Sequence, residues 1–180
     1  NEQRQFLQKT LSKEDYIKSL NIKLTYSINN RNQIQRIAEL ANKTNQFICS
    51  YKRYSETEVE AIMNDKDYMI IATKLEDKLS NSGIIGVCVF KDKKEYLEME
   101  ECFISCRALG RGIDDSIVFY PIQLALNRFN HSELKINFIK GERNKPAENF
   151  LTEHLADFIN TNAKFNKNIN QDLISIIIEE

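Results

Sequence analysis

Tryptophan is absent from this 180-residue chain, proline and histidine occur twice each, and glycine occurs only five times. So few breakers leave no room for a long flexible linker, and no repeat period is visible. The four cysteines, Cys49, Cys88, Cys102 and Cys106, form no C-x-x-C pair, and His131 and His154 stand apart from them in sequence. That spacing argues against a zinc site. No apolar run is long: the stretch from Ile117 to Leu126 is interrupted by Pro121 and Gln123, well short of the roughly 20 residues of a membrane span. Neither charge predominates, since 25 Lys and Arg face 26 Asp and Glu for a net charge of −1. Nucleic-acid binding by bulk phosphate attraction is thereby disfavoured. The polar opening Asn1-Glu2-Gln3-Arg4-Gln5 has no signal-peptide pattern and no initial Met. The expectation is therefore a cytoplasmic protein with reduced thiols, present here as a fragment of something larger.

What is present reads as an ordinary globular composition, 42% hydrophobic and 28% charged, long enough to bury a core. Residues 1–20 read as a helical lead-in, capped by Ser12 and Asp15, and residues 21–180 as one domain. Ile22, Leu24 and Tyr26 alternate with polar neighbours as a short strand, which Asn29 and Asn30 break. Ile34, Ile37, Ala38 and Ala41 mark one helix face, and Ser55 with Glu58 forms a capping box that opens a second helix. Residues 68–75, 83–90 and 96–106 read as three strands of an antiparallel meander, with turns at residues 81–83 and 92–94. After Gly110 and Gly112 the period turns helical, and Pro121 is expected to bend that helix or end its first half. A strand at residues 134–139, a helix at 146–154 and a buried final strand at 173–178 complete the order. The fold class is α/β, of the mixed α+β kind: three layers built on a mixed, mostly antiparallel sheet flanked by helices.

Two segments carry chemistry. Arg107-Ala108-Leu109-Gly110-Arg111-Gly112 joins a long strand to a long helix and spends two of the five glycines. Such a turn leaves backbone N–H groups uncovered at a helix N-terminus, where phosphate binds, and Arg111 can add a direct contact. Asp114 and Asp115 in the first helical turn oppose an anion there. The turn is neither a dinucleotide fingerprint nor a P-loop, because G-x-G-x-x-G and Gly-Lys-Ser/Thr are both missing. The second segment, residues 43–54, joins the two early helices and is too rich in large and polar residues for an idle connection.

The turn resembles the R/Q-x-x-G-x-G/A motif of GNAT acyltransferases, and Asn144, Ala147 and Phe150 resemble their N-x-x-A-x-x-F helix. The succession of strands and helices is similar from Ile22 to Ile178. The likeness implies that Arg107, Leu109, Gly110, Arg111, Gly112, Ile113 and Asn144 hold coenzyme A or a carrier's phosphopantetheine. Lys43-Thr44-Asn45-Gln46-Phe47 with Arg53-Tyr54, and Ser105-Cys106-Arg107-Ala108-Leu109-Gly110-Arg111-Gly112, are similar to segments of the FkbH-like proteins. Those proteins join a haloacid-dehalogenase-type phosphatase domain to a C-terminal GNAT-like domain and load a glyceryl unit onto an acyl carrier protein. The resemblance covers only the C-terminal part, and it makes an acyl carrier protein and an N-terminal phosphatase domain the implied partners.

Within this reading Cys106 is the candidate nucleophile. Arg107 beside it and the helix N-terminus after it both favour a thiolate, which could carry an acyl group. Cys102 shares its face if the strand is regular. Glu100 and Glu101 should point to opposite faces, one of them available as a general base. Thr44, Asn45, Gln46 and Arg53 are candidate substrate contacts, Arg53 being suited to a carboxylate or phosphate. Leu151 stands where many GNAT enzymes place a proton-donating Tyr, and Leu155 and Ala156 replace their Gly-Phe; His154 is the nearest substitute acid. Two alternatives accompany the acyltransferase reading: a scaffold that binds a carrier or its pantetheine without chemistry, and a free-standing N-acetyltransferase acting on an amine.

Overall fold

A computed structural model describes residues 12–166 and 175–179. Helix α1, Lys13–Leu20, begins at Ser12, whose hydroxyl accepts the Asp15 N–H, and ends at Asn21 in the left-handed region. Residues 1–11 of the expected lead-in lie outside the described residues. Strand β1 is Lys23–Ile28, and a 3-10 turn at Arg31–Gln33 leads into helix α2, Ile34–Lys43. The short strand β2, Phe47–Ile48, comes next. Helix α3, Glu56–Asn64, opens with the full capping box of Ser55 and Glu58.

The meander is Tyr68–Asp77 (β3), Ser80–Asp92 (β4) and Leu97–Ile104 (β5), antiparallel throughout. Its first turn lies earlier than the sequence suggested. The Asp77 carboxylate accepts the N–H groups of Leu79 and Ser80, so Lys78 and Leu79 make the hairpin. Gly83, at φ 64, instead lies within β4 beside a register shift. Helix α4, Asp114–Phe129, passes through Pro121 without ending, correcting that part of the expectation. Strand β6 is Glu133–Ile136, helix α5 is Lys145–His154, and Ala163–Lys164 (β7) and Ser175–Glu179 (β8) finish the sheet.

The eight described strands form one sheet in the order β7-β6-β5-β4-β3-β1-β8, with β2 paired to β5 off that path. β1 with β8 and β5 with β6 run parallel. Among the described residues β8 is a sheet edge rather than a buried strand, because there it pairs only with β1 and leaves Ile177 and Ile178 exposed; Leu173 lies outside the described residues. On one face α2 and α3 pack Ile37, Leu40, Ala41 and Val59 against Ile70, Val87, Val89 and Phe103. On the other, α4 and α5 pack Ile117, Ile122, Ala147 and Leu151 against Leu24, Ile85, Cys88 and Cys102. Close approach of α4 needs Gly86, where any Cβ would collide with the Ile117 side chain. The three-layer α/β architecture expected from the sequence is the one observed.

Candidate functional site

β5 stops at Ile104, two residues before Cys106, so strand alternation does not reach that thiol. Ser105 N–H bonds the Ile85 carbonyl at 2.7 Å, and Ala108 N–H bonds the Ser105 carbonyl at 2.9 Å. The first holds Ser105 to β4, and the second turns the chain out of the sheet just after it. Buried Ala108 and Ile113 anchor the turn at either end, while Leu109 is half-buried against the core. Gly110 and Gly112 sit at φ 74 and 76, the left-handed region that glycine reaches freely. Cys106 and Arg107 stand exposed just ahead of Ala108, whereas Cys49, Cys88 and Cys102 are buried. Cys102 and Cys106 thus do not share an environment. Arg111 is placed elsewhere: its guanidinium lies 3.3 Å from the buried Asp77 carboxylate, on the β3–β4 hairpin.

The segment after α2 is fixed by three side chains. Arg53 donates to the carbonyls of Ala41 and Thr44 and to Asn45 Oδ1, so its guanidinium ties the segment to the end of α2. Glu101 is fully buried in β5. Its carboxylate accepts the N–H groups of Cys49 (2.7 Å), Ser50 (3.0 Å) and Lys52 (2.8 Å), and the Ser50 hydroxyl at 2.7 Å. Burial pushes this carboxyl up, and those donors pull it back. Asn144, 1% exposed, spends its amide on the Ile48 and Ile139 carbonyls and accepts the Gly141 N–H. The expectation that Glu100 and Glu101 alternate across the sheet meets a bulge, since β4 pairs Val89 with Glu101 and Phe90 with Met99, skipping Glu100. Glu100 instead meets Lys52 Nζ at 2.8 Å and the hydroxyls of Tyr54 and Tyr68.

A cavity of about 750 Å³ opens between α2 and the start of the turn. Thr44, Asn45 and Gln46 line one wall, and Ile104, Ser105 and Cys106 the other. Arg36, Leu40, Lys43, Arg107 and Arg143 complete it, and no acidic side chain belongs to the lining. Arg36 lies 3.1 Å and Lys43 3.9 Å from Glu39, just outside the cavity. Of the residues singled out in the sequence, Thr44, Asn45, Gln46, Cys106 and Arg107 meet here. Arg53, Leu109, Gly110, Arg111, Gly112, Ile113 and Asn144 are not part of the lining. Sequence reading missed Arg36, Lys43 and Arg143 as site residues. Arg36 could have been found from the apolar face of α2, because it lies one turn before Leu40; Arg143 sits in a loop with no local signal.

The other thiols are poor nucleophiles. Cys49 is raised by its hydrogen bond to Cys102 and by burial; for Cys102 the bond to Cys49 lowers, but the bond to Cys88 and burial raise by more. Leu151 is fully buried, and the His154 ring packs at a tilt against Phe150, with centroids 4.9 Å apart, and edge-on to Phe119 at 6.3 Å. Among the described residues no group of three or more His, Cys, Asp or Glu could hold a metal ion, and no helix is long and apolar enough to cross a membrane.

No protein-family model matches the chain, and no curated protein sequence matches it. Solved structures do. Ribosomal-protein-alanine N-acetyltransferase of Brucella melitensis biovar Abortus superposes with a TM-score of 0.53 at 10% identity, over 82% of this chain and 98% of that one. The ribosomal-protein-S18-alanine N-acetyltransferase of Escherichia coli gives 0.52 at 12% identity, over 73% and 76%. A spermidine N-acetyltransferase SpeG mutant of Vibrio cholerae, at 18% identity over 63% and 69%, gives only 0.46. At such identities the likeness is one of architecture, and the first two carry it: the chain has the fold of the GNAT acetyltransferases.

Proposed function

We propose that this domain is an acyltransferase that moves an acyl or glyceryl group between a thioester and an acyl-carrier thiol, with Cys106 as the covalent way-station. The observation that carries the proposal is a convergence. Two segments some sixty residues apart, Lys43 to Gln46 and Ser105 to Arg107, are those that resemble FkbH-like proteins, and both line one cavity beside an exposed thiol. In the reaction the Cys106 thiolate adds to the donor's thioester carbonyl. The donor's carbon–sulfur bond breaks, and its sulfur leaves with the proton that Cys106 has shed. A second exchange of the same kind passes the acyl group to the acceptor thiol and restores Cys106. Coenzyme A or a carrier's phosphopantetheine supplies the thioester sulfur, and an acyl carrier protein is the proposed partner. A phosphatase domain on the same polypeptide would supply the glyceryl unit.

The four cationic side chains of the cavity suit a phosphate or carboxylate on the ligand. The same charges repel an ammonium group, which disfavours the amine acceptor of a free-standing N-acetyltransferase. Buried Leu151 favours the scaffold alternative in one respect, since it removes a proton donor from α5. The test is intact-protein mass spectrometry after incubation with acetyl-coenzyme A and, separately, with a glyceryl-loaded carrier. An acyl adduct that maps to Cys106 and vanishes in Cys106→Ala supports the proposal. Transfer that persists in Cys106→Ala overturns the covalent step.

A further inference from the structure

The route by which a ligand reaches Cys106 is constrained by how β5 is covered. β5 pairs with β6 from Leu97 to Met99, and the Asn137 N–H still donates to the Met99 carbonyl. Past that point the chain after β6 turns aside. The edge of β5 from Cys102 to Ile104 would then lie open, and an open strand edge is where an extended, amide-bearing arm adds by main-chain pairing. The protein fills this edge itself. Phe47 and Ile48 pair antiparallel with Ile104 and Phe103, and the Cys49 N–H donates to the Cys102 carbonyl at 3.1 Å. On its other side the Cys49 carbonyl accepts the Ile139 N–H at 2.9 Å, so the segment bridges the gap between β5 and the continuation of β6.

The filling is firmly held. Phe47, Ile48 and Cys49 are all buried, and Phe47 packs edge-on against Phe150 at 5.5 Å. Glu101 gathers the backbone N–H groups of Cys49, Ser50 and Lys52, and Asn144 binds the Ile48 carbonyl at 2.9 Å. Displacing residues 47–52 would strand a buried carboxylate among lost partners, a large penalty for any incoming arm to offset.

We infer that residues 47–52, which begin with the short strand β2, are a built-in segment that closes the sheet between β5 and β6, so that a phosphopantetheine arm reaches Cys106 through the cationic cavity beside α2 and not along β5. The inference rests on the acyl-transfer reading. It gives Glu101 a structural part, holding the segment in place, and no part in binding the arm. It also assigns the arm's phosphate to the cluster of Arg36, Lys43, Arg107 and Arg143, and its amides to side chains such as Asn45 and Gln46 instead of strand backbone.

The buried thiols are natural reporters, because Cys49 and Cys102 lie on the two sides of the closed seam. The experiment is native iodoacetamide labelling of the protein, read per cysteine by mass spectrometry, with and without saturating desulfo-coenzyme A, which has no thiol of its own. A parallel sample uses a carrier protein whose pantetheine sulfur is capped by alkylation; protection by only one of the two probes identifies the source of the arm. The expected result is at least fivefold slower labelling of Cys106 while Cys49 and Cys102 stay unmodified. Labelling of Cys49 or Cys102 on ligand addition overturns the route, because the arm has then displaced the segment, and leaves acyl transfer standing. No protection of Cys106 by either probe overturns the acyl-transfer reading and the route with it. A second measurement uses Glu101→Gln, which loosens the segment. The affinity for desulfo-coenzyme A should stay within twofold of the parent, and a tenfold gain would mean that segment and arm compete, overturning the inference.

Discussion

Cys106 and Cys102 lie four residues apart and differ in almost every respect that governs a thiol. Cys102 is in the sheet interior with Cys88 3.5 Å away, and its thiol is pushed up. Cys106 is exposed on a turn whose bonds are made by Ser105 and Ala108, not by its own side chain. Cys106→Ala should therefore abolish acyl transfer and change stability by no more than about 0.5 kcal/mol, within reach of a thermal melt. The cationic lining gives a second expectation at this scale. Arg143 and Arg107 make no ion pair among the described residues, so each is available to a ligand anion. Replacing either with Ala should weaken binding of desulfo-coenzyme A about tenfold, or about 1.5 kcal/mol, measured by calorimetry. Arg53→Ala should instead lower stability, because that guanidinium bonds the Ala41 and Thr44 carbonyls.

Elements inherit such local devices. The capping box at Ser55 and Glu58 was legible in the sequence as S-x-x-E and is present in full, with Ser55 Oγ accepting the Glu58 N–H at 3.2 Å. Ser55→Ala should cost about 1 kcal/mol in chemical denaturation. The turn between β3 and β4 was less legible. Asn81-Ser82-Gly83 has the composition of a hairpin turn, yet Asp77 closes the hairpin earlier and the glycine serves a bulge. The short strand β2 escaped notice because its two residues carry no period of their own; it exists only where β5 offers an edge. Gly86 belongs to this scale as well. Gly86→Ala should destabilise by about 1–3 kcal/mol, since α4 must shift to clear a methyl group from Ile117.

For the molecule as a whole, charge is balanced, and its placement matters more than its sum. A net charge of −1 coexists with a cavity lined by four cations, so bulk composition concealed the site's electrostatics. At the opposite end of the sheet Asp92 pairs with His131 at 2.8 Å and with Lys94 at 3.3 Å. Burial raises the Asp92 carboxyl, but the His131 bond and the Lys94 contacts lower it by more, and the net position is below the usual value. A carboxyl lowered on folding stabilises above its unfolded pKa of about 3.9 and loses that contribution as pH falls through the folded value. Asp92→Asn should accordingly flatten the acid limb of a stability–pH profile below about pH 4, leaving its shape near neutrality unchanged.

The sequence by itself determined the order of the longer elements, the capped helices, the antiparallel meander and the turn after β5. Each of these rests on interactions within a few residues or on a period that a single segment carries. It also marked Thr44, Asn45, Gln46, Cys106 and Arg107, which stand in two motifs. Only the tertiary structure decided that these two motifs face one cavity, and that Arg36 and Arg143 join them from α2 and from the loop before α5. It alone turned Arg53 and Arg111 to internal partners, and laid residues 47–49 along β5. The physical reason is range. Hydrogen-bond partners such as Glu101 with Cys49 and Asn144 with Ile48 are 52 and 96 residues apart, and no local periodicity encodes which buried carboxylate or amide will collect a distant backbone.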